Sequence, residues 1–380
     1  MGLDLSLTKS EQILKSTTRD FLSREISRDS LQALLDSETG YTETIRKKVA
    51  DIGWFGIIIP ESLGGIGYPL TSAGVLFEAL GSLPLPGPYF SSGILGSLIV
   101  MEAGDDSRQK ALLPGVADGS IRLSLALTEP AYGWGPESIN ASASPEGGWY
   151  SLNGTKLFVM DARAATHFIV AVRTGDKTAD PGEGISLFLV DKELGGVSIA
   201  PLTGYFSART FEVKFDNVML SEDNLLGEPN RCWPTLARAI EKAIPVLCAY
   251  KVGGCQAVFT MALDYSRQRE QFGQPIGRFQ RVQDMIIEMV NYADAARWTT
   301  YEALWKLDSG IPPGESIHLA KAVASEAYWQ ACTLAHRVFS GISYSMEHDV
   351  SFHTRASRSL YHFLGDPAYH RQQLTLKLMA

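Results

Sequence analysis

The densest grouping of chemistry-bearing side chains is Arg267-Gln268-Arg269-Glu270-Gln271-Phe272-Gly273-Gln274-Pro275-Ile276-Gly277, followed by Phe279-Gln280. A guanidinium, an aromatic ring and an amide gathered where a long helix ends can grip a pyrophosphate and stack on a planar ring. A helix C-cap and turn account for Gly273 and Pro275 but leave Arg269, Phe272 and Gln280 without a role. The second grouping is LALTEPAYG, a strand end around Leu127, Thr128 and Glu129. Its backbone groups and the Thr128 hydroxyl can hydrogen-bond a planar heteroaromatic ligand. A third stretch, WFGIIIPESLGGIGYPLTSAGVLFEAL, sets Gly64, Gly65 and Gly67 between an apolar run and a helix, in the manner of a dinucleotide loop. Pro60 and Pro69 interrupt it and no parallel strand follows at βαβ distance, so tight turns with positive φ explain these glycines better.

Other chemistries find no support. There is no G-x-S-x-G elbow, H-E-x-x-H pair or P-loop. His336, His348, His353, His362 and His370 follow no metal-ligand spacing, and His348-Asp349 reads as a helix junction. Cys232, Cys248, Cys255 and Cys332 form no C-x-x-C pair, which argues against a disulfide framework or zinc and suits a reducing cytoplasm. With 34 basic against 42 acidic residues, net charge -8, no nucleic-acid footprint is expected. No apolar run approaches the roughly 20 residues of a membrane span, and MGLDLSLTKSEQ is no secretory signal. Gly2 and Ser6 match a loose myristoylation pattern, but Thr8 with Glu11 three residues on reads as a capped helix start.

The elements that must position these residues fall into three segments, 1–119, 120–229 and 230–380. The first is helical: apolar spacing marks helices at 8–26, 42–53, 71–81, 93–103 and 107–117. In the second, IRLSLALTE, GWYSLNGTKLFV, HFIVAVRT, GISLFLVD, VSIAPL and TFEVKFDNV read as strands of an antiparallel β domain. Asn153-Gly154 reads as a hairpin turn inside it, and its formal N-x-T sequon is set aside. In the third, long apolar periodicity predicts helices over 233–270, 280–308 and 314–339, far above the usual length of about 11 to 12 residues. Long helices joined by short turns imply a four-helix bundle, and the whole is α+β by segregation.

In this order and spacing the motifs resemble the acyl-CoA dehydrogenase family over essentially the whole chain. IIIPESLGGIGYP resembles I-P-E-x-x-G-G-x-G, LTEPAYG the start of T-E-P-x-x-G-S-D, and GTKLFVMDA the motif G-x-K-x-W-I-T-N-A. REQFGQPIGRFQ keeps R-x-x-F-G-x-x-I-x-x-F-Q intact, and GISYSMEHDVSFHTRASRS is similar to G-G-x-G-[FY]-x-x-E. The resemblance implies FAD and α,β-desaturation of an acyl-CoA thioester. A carboxylate removes the α-proton, the β-hydrogen leaves as hydride to the flavin, and the thioester oxygen is hydrogen-bonded. It also implies fatty acid or steroid side-chain β-oxidation, onward electron transfer to an electron-transfer flavoprotein, and a dimer or tetramer in the cytoplasm, with no membrane or nucleic acid as partner. Cofactor contacts carry over to Leu127, Thr128, Phe158, Met160, Arg269, Phe272, Gln280, Arg337 and Gly341.

The departures concern the base. Leu364 stands where the family's Y-E-G-T places its glutamate, and Ala243 stands at the alternative position on the long helix. Glu241 is two residues from Ala243, about 200° around a helix. Asp366, two residues past Leu364, reads with Pro367 as an N-cap and N1 pair. Trp134-Gly135 replaces Ser-Asp, Phe158 the tryptophan, Met160 the threonine and Asp161 the asparagine, while Ser340-Gly341 replaces Gly-Gly and Arg337 a glutamine. Arg269, Phe272 and Gln280, which in the family reach a neighbouring subunit's FAD, are kept. The chain is thus expected to be the subunit without the glutamate in a heteromeric enzyme, partnered by a homologous acyl-CoA dehydrogenase subunit. The alternatives are a self-sufficient enzyme using Asp366 or Glu241, and an acyl-CoA-binding scaffold without flavin.

Overall fold

The computed structural model describes residues 5–204 and 210–379, so Gly2 of the myristoylation pattern lies outside the described residues. In chain order the helices are α1 (Lys9–Glu25), α2 (Arg28–Asp36), α3 (Glu43–Asp51), α4 (Leu70–Ser82), α5 (Ser97–Ala103), α6 (Asp106–Ala117), α7 (Trp233–Gln268), α8 (Gln280–Asp308), α9 (Glu315–Phe339), α10 (Val350–Ser359) and α11 (Pro367–Met379). The strands are β1 (Leu123–Ala126), β2 (Ser142–Glu146), β3 (Trp149–Met160), β4 (His167–Arg173), β5 (Ile185–Asp191), β6 (Val197–Pro201), β7 (Thr210–Leu220) and β8 (Leu225–Leu226), with a two-stranded ribbon β9 (Glu270–Gln271) and β10 (Gln274–Pro275). Packing gathers them into two units. One comprises residues 1–30, 69–85 and 244–380, the other residues 31–68 and 86–243.

The second unit is built on one sheet, in the order β6-β7-β3-β2-β4-β5-β8 with β1 beside β4. Its core holds Phe168, Val170, Phe188, Val190, Phe211 and Phe215. Two expectations need correction. The sheet is mixed, because β1 runs parallel to β4, pairing Leu123 with His167 through Ala126 with Val170. The chain between them makes a long excursion through the β2–β3 hairpin, the kind of crossover a parallel pair requires. Asn153-Gly154 is not a turn, for β3 runs through it against β7 with a register shift between Leu152 and Gly154. The hairpin turn is Gly147-Gly148, at φ 58 and 86, the mirror-image geometry that suits twisted strands. The helix expected from Gly93 begins as a π turn at Ser91–Gly96 before α5.

The glycine loop also divides. Gly64 and Gly67 adopt φ of 82 and 72, as expected, whereas at Gly65 a Cβ would lie 2.1 Å from the Ile59 carbonyl oxygen. Gly65 therefore serves a close backbone approach.

The first unit is helical, with α9 packed against both α8 and α11, and α1 against α4. Thr8 caps α1 with Glu11 in a reciprocal capping box, as its sequence indicates. Within this unit α4 meets α7 backbone to backbone. A Cβ on Gly81 would lie 1.9 Å from the Tyr250 carbonyl oxygen, and one on Gly253 1.8 Å from that of Glu78. Beside this seam Glu78 is buried, held by Lys15 at 2.7 Å, Arg297 at 3.3 Å and the Tyr301 hydroxyl at 2.6 Å. Helix α7 contains an 18-residue window of mean hydropathy 1.4, long and apolar enough to cross a membrane, yet 61% of that window is buried inside the protein. Its apolar content is that of a helix walled in by others.

The seam yields a test. Gly253→Ala forces a methyl group into the Glu78 backbone, so unfolding in urea should show a loss of about 2–3 kcal/mol, the upper range for overpacking.

Candidate functional site

In the sheet unit, the strand-end motif is pinned by a buried ion pair. The Lys156 side chain is fully enclosed and donates to Glu129 Oε1 at 2.7 Å, the Ala171 carbonyl at 2.7 Å and the Leu127 carbonyl at 3.2 Å. The Glu129 carboxylate also accepts the backbone N–H groups of Asn140 and Ala141, both at 2.9 Å. Burial pushes the Lys156 ammonium down to about 8 despite the carboxylate beside it. The N–H of Leu157 donates to the Thr128 carbonyl at 2.8 Å, so the Leu127-Thr128 backbone is clamped to β3 from two sides.

Next to this clamp β3 bulges, its register shifting between Lys156 and Val159. Phe158 sits in the bulge at φ 56 and is 46% exposed. Its ring meets Tyr132 edge-on at 6.1 Å, and Tyr132, also at φ 56, meets Trp134 at 4.9 Å. Met160 is buried, its carbonyl accepting the Ser124 hydroxyl at 2.6 Å, and Asp161 at φ 56 accepts the Ser91 hydroxyl at 2.7 Å. On the early turns of α7, Ala243 is fully buried and Glu241 half-buried.

In the helical unit, α7 ends at a tight ribbon. The Arg269 N–H donates to the Tyr265 carbonyl and its own carbonyl accepts the Ile276 N–H, both at 2.8 Å. Between β9 and β10, Phe272 and Gly273 form a two-residue turn at φ 54 and 78. Phe272 stands 93% exposed at its tip, with one edge contact to Phe279 at 6.0 Å, while Arg269 and Gln280 are exposed beside it. Tyr265 packs on Phe339 at 5.0 Å, which brings the end of α7 to the end of α9. There Arg337 is exposed, and the 3-10 turn Ser340–Tyr344 begins with Ser340 at φ 58 and ψ -142, a conformation that favours glycine. Gly341 faces open space, and His336 braces the turn through Ser343 at 2.9 Å and Thr354 at 2.8 Å.

The turn that carries Leu364 lies elsewhere in this unit. Leu364 adopts φ 58 and Gly365 φ 99, and Lys321 of α9 donates to the Gly365 carbonyl at 2.5 Å. From Lys321 to Arg337 the helix rises about 24 Å at 1.5 Å per residue. Arg269, Phe272, Arg337 and Gly341 are thus drawn to one end of the bundle, and Leu364 is not among them. Asp366 caps α11: its Oδ1 accepts the Tyr369 N–H at 2.8 Å, and its Oδ2 lies 3.7 Å from His362 Nδ1. Sequence reasoning missed the Lys156–Glu129 pair, the Tyr132 contact and the buried lysines Lys251 and Lys321. The one available signal was a lysine set inside an apolar strand. All four cysteines are free and buried, and no His/Cys/Asp/Glu group among the described residues could hold a metal.

The family models for the acyl-CoA dehydrogenase N-terminal, middle and C-terminal domains match residues 8–120, 124–218 and 231–379. The chain is 27% identical over 349 residues to the caffeyl-CoA reductase-Etf complex subunit CarC of Acetobacterium woodii, covering 90% of this chain and 91% of that protein. A glutaryl-coenzyme A dehydrogenase in complex with glutaryl-CoA superposes with TM-score 0.91 at 27% identity, covering 99% and 97% of the two chains. The steroid ACAD Tcur3481-Tcur3483 superposes at 0.86 with 26% identity, covering 98% of each.

Two substitutions test this geometry. Lys156→Met leaves the Glu129 carboxylate buried without its counter-charge, and denaturation at neutral pH should show a loss of about 3–5 kcal/mol. Ser340→Gly relieves the backbone at an exposed position, and the melting curve should shift upward by the equivalent of about 1 kcal/mol.

Proposed function

The chain belongs to the acyl-CoA dehydrogenase family, whose members act on CH–CH donors, and from that premise we propose that it is the subunit without a catalytic carboxylate in a heteromeric, FAD-dependent acyl-CoA dehydrogenase. One observation carries the proposal: position 364 presents a leucine, and the nearest carboxylate in sequence, Asp366, is engaged as a helix cap. Aliphatic carbon cannot take a proton, so a homologous partner must bring the base. Ala243 at the second family position is as inert.

The cofactor-facing groups fit FAD in part. Arg269 and Gln280 offer charge-assisted and neutral donors for a pyrophosphate, and Phe272 offers a ring with an open face. Leu127 and Thr128 present clamped backbone and a hydroxyl for a planar ring, and Phe158 stands beside them. Arg337 and the Gly341 turn extend the set at the far end of α9. Met160 brings no hydroxyl, and Trp134 replaces a small donor with an indole. When bound, FAD supplies the hydride acceptor. The role of this chain is to grip and orient it through Arg269, Phe272 and Gln280, across a subunit boundary.

We take an acyl-CoA thioester as substrate, an electron-transfer flavoprotein as the onward acceptor, and residues 1–119, 120–229 and 230–380 as the working division of the chain. Likeness to an Etf-complex subunit and to a steroid ACAD with a two-part name supports the first two and the heteromer.

Turnover decides the matter. The purified chain alone should run at least about a hundredfold below its mixture with a glutamate-bearing homologue, the scale of a lost general base. Leu364→Glu should raise the activity of the chain alone tenfold or more. Full activity of the unaltered homomer would remove the proposal, and an accompanying loss in Asp366→Asn or Glu241→Gln would name the true base. Arg269→Ala or Phe272→Ala should lower flavin content, read from the absorbance near the flavin band. No flavin in the mixture would favour a scaffold instead.

A further inference from the structure

Two lysines are sealed in the helical unit with no carboxylate in contact. Lys251 of α7 is 1% exposed and Lys321 of α9 is 0% exposed. Lys251 Nζ donates to Ser325 Oγ at 2.7 Å. Lys321 Nζ reaches the same hydroxyl at 3.4 Å, the Gly365 carbonyl at 2.5 Å and the Tyr361 carbonyl at 3.5 Å. Among the described residues neither has a salt-bridge partner within 4.0 Å. Two full ammonium charges cannot share such a place. Lys321, with two carbonyl acceptors, keeps its proton; Lys251, with a hydroxyl alone, is the neutral amine. Burial pushes Lys251 well below its ordinary value and Lys321 down to about 8.

The adjoining carbonyl is held as well. His370 Nε2 donates to the Leu364 carbonyl at 2.8 Å, which leaves its Nδ1 to accept from His318 Nδ1, 3.0 Å away. Burial drives His370 to about 3 and His318 to about 4, so both rings are neutral at physiological pH. Two consecutive carbonyls, of Leu364 and Gly365, are thus drawn inward by buried N–H donors, at the two residues with φ of 58 and 99. A helix start needs no such apparatus, because Asp366 and Pro367 already begin α11.

We propose that Lys321, with Lys251 beside it on the shared Ser325 hydroxyl, is the positioning residue that fixes the turn carrying position 364, through its hydrogen bonds to the Gly365 and Tyr361 carbonyls. The functional weight of the turn rests on the reading of position 364 as the base position; the device itself does not. The other groups facing the pair are the Cys248 thiol on α7, Asp366 and His362 on the turn and His370 on α11. His318 of α9, Arg358 of α10 and Lys377 of α11 act through the histidines. The Cys248 thiol is raised by burial and stays uncharged.

The pair fixes the sign of a pH effect. Closed, it holds fewer protons than it does once opened to water, where both amines return to ordinary lysine values. Raising the pH therefore favours closure, most steeply between the lowered values and about 10.4. Hydrogen exchange of the full-length protein, corrected for intrinsic rate, should show amides of residues 362–370 gaining at least fivefold in protection between pH 7 and 9. Lys251→Met should match or exceed the wild-type protection at pH 7 and flatten the dependence. Lys321→Met should lose tenfold or more at pH 7, with exchange in the sheet unit unchanged. Protection of the wild-type turn that ignores pH would overturn the proposal, and so would a Lys251→Met profile identical to wild type. The wild-type and Lys251→Met profiles remain decisive if Lys321→Met does not fold. None of these readouts depends on turnover, so an active homomer would overturn the proposed function while leaving the clamp standing. In a Leu364→Glu background that turns over, Lys321→Met should lower kcat tenfold with KM within threefold.

Discussion

The sheet unit depends on one buried charge pair. Lys156 and Glu129 bind four separate backbone stretches, the end of β1 at Leu127, the chain into β2 at Asn140 and Ala141, strand β4 at Ala171, and β3 itself. An ammonium taken from water is tolerable only when its donors are met, and here all three are. The pair also dictates what lies beside it. In a regular strand residues two apart share a face, so with Lys156 enclosed, Phe158 would be enclosed too. The bulge between Lys156 and Val159 breaks that parity, leaving Phe158 outside at φ 56 and the lysine inside. An extra residue in one strand is the usual way a sheet re-aims a side chain.

The same bulges set the limit of what the sequence reveals. The three long helices were legible to within two residues, expected over 233–270, 280–308 and 314–339 and found as Trp233–Gln268, Gln280–Asp308 and Glu315–Phe339. Their apolar period persists over many turns, and Phe279-Gln280 marks a restart. Asn153-Gly154 misled because local turn preference competes with a long ladder, and β3 gains more by pairing through to β7 than by turning. The parallel β1–β4 contact lay beyond reach, since nothing local distinguishes a strand whose partner arrives some forty residues later.

For the candidate site, legibility tracks exposure. Arg269, Phe272 and Gln280 stand out because polar and aromatic types cluster where a helix must stop, and the ribbon presents them to solvent. The buried lysines are invisible by the same logic: a lysine within a helical pattern reads as a solvated face, and Lys251 and Lys321 give no sign of being walled in. The seam at Gly81 and Gly253 is likewise silent, since glycine in an apolar helix announces only a weak helix former.

Backbone strain joins the two halves of the picture. Among the described residues, the non-glycine positions with positive φ are Tyr132, Phe158, Asp161, Asn217, Asn230, Phe272, Ser340 and Leu364. Asparagine tolerates that region, so Asn217 and Asn230 need no special cause. Tyr132 and Phe272 lie in stretches that their residue types mark, and Phe158, Asp161, Ser340 and Leu364 lie in motifs that the family resemblance marks for cofactor or base. Strain persists only where surroundings over-determine it, and the networks of Lys156, His336 and Lys321 lie beside Phe158, Ser340 and Leu364 in turn. Leu364 is the telling case. A leucine gains nothing chemical from a left-handed backbone, yet two carbonyls are gripped to hold it there. What the gripped carbonyls fix is therefore the shape of the turn.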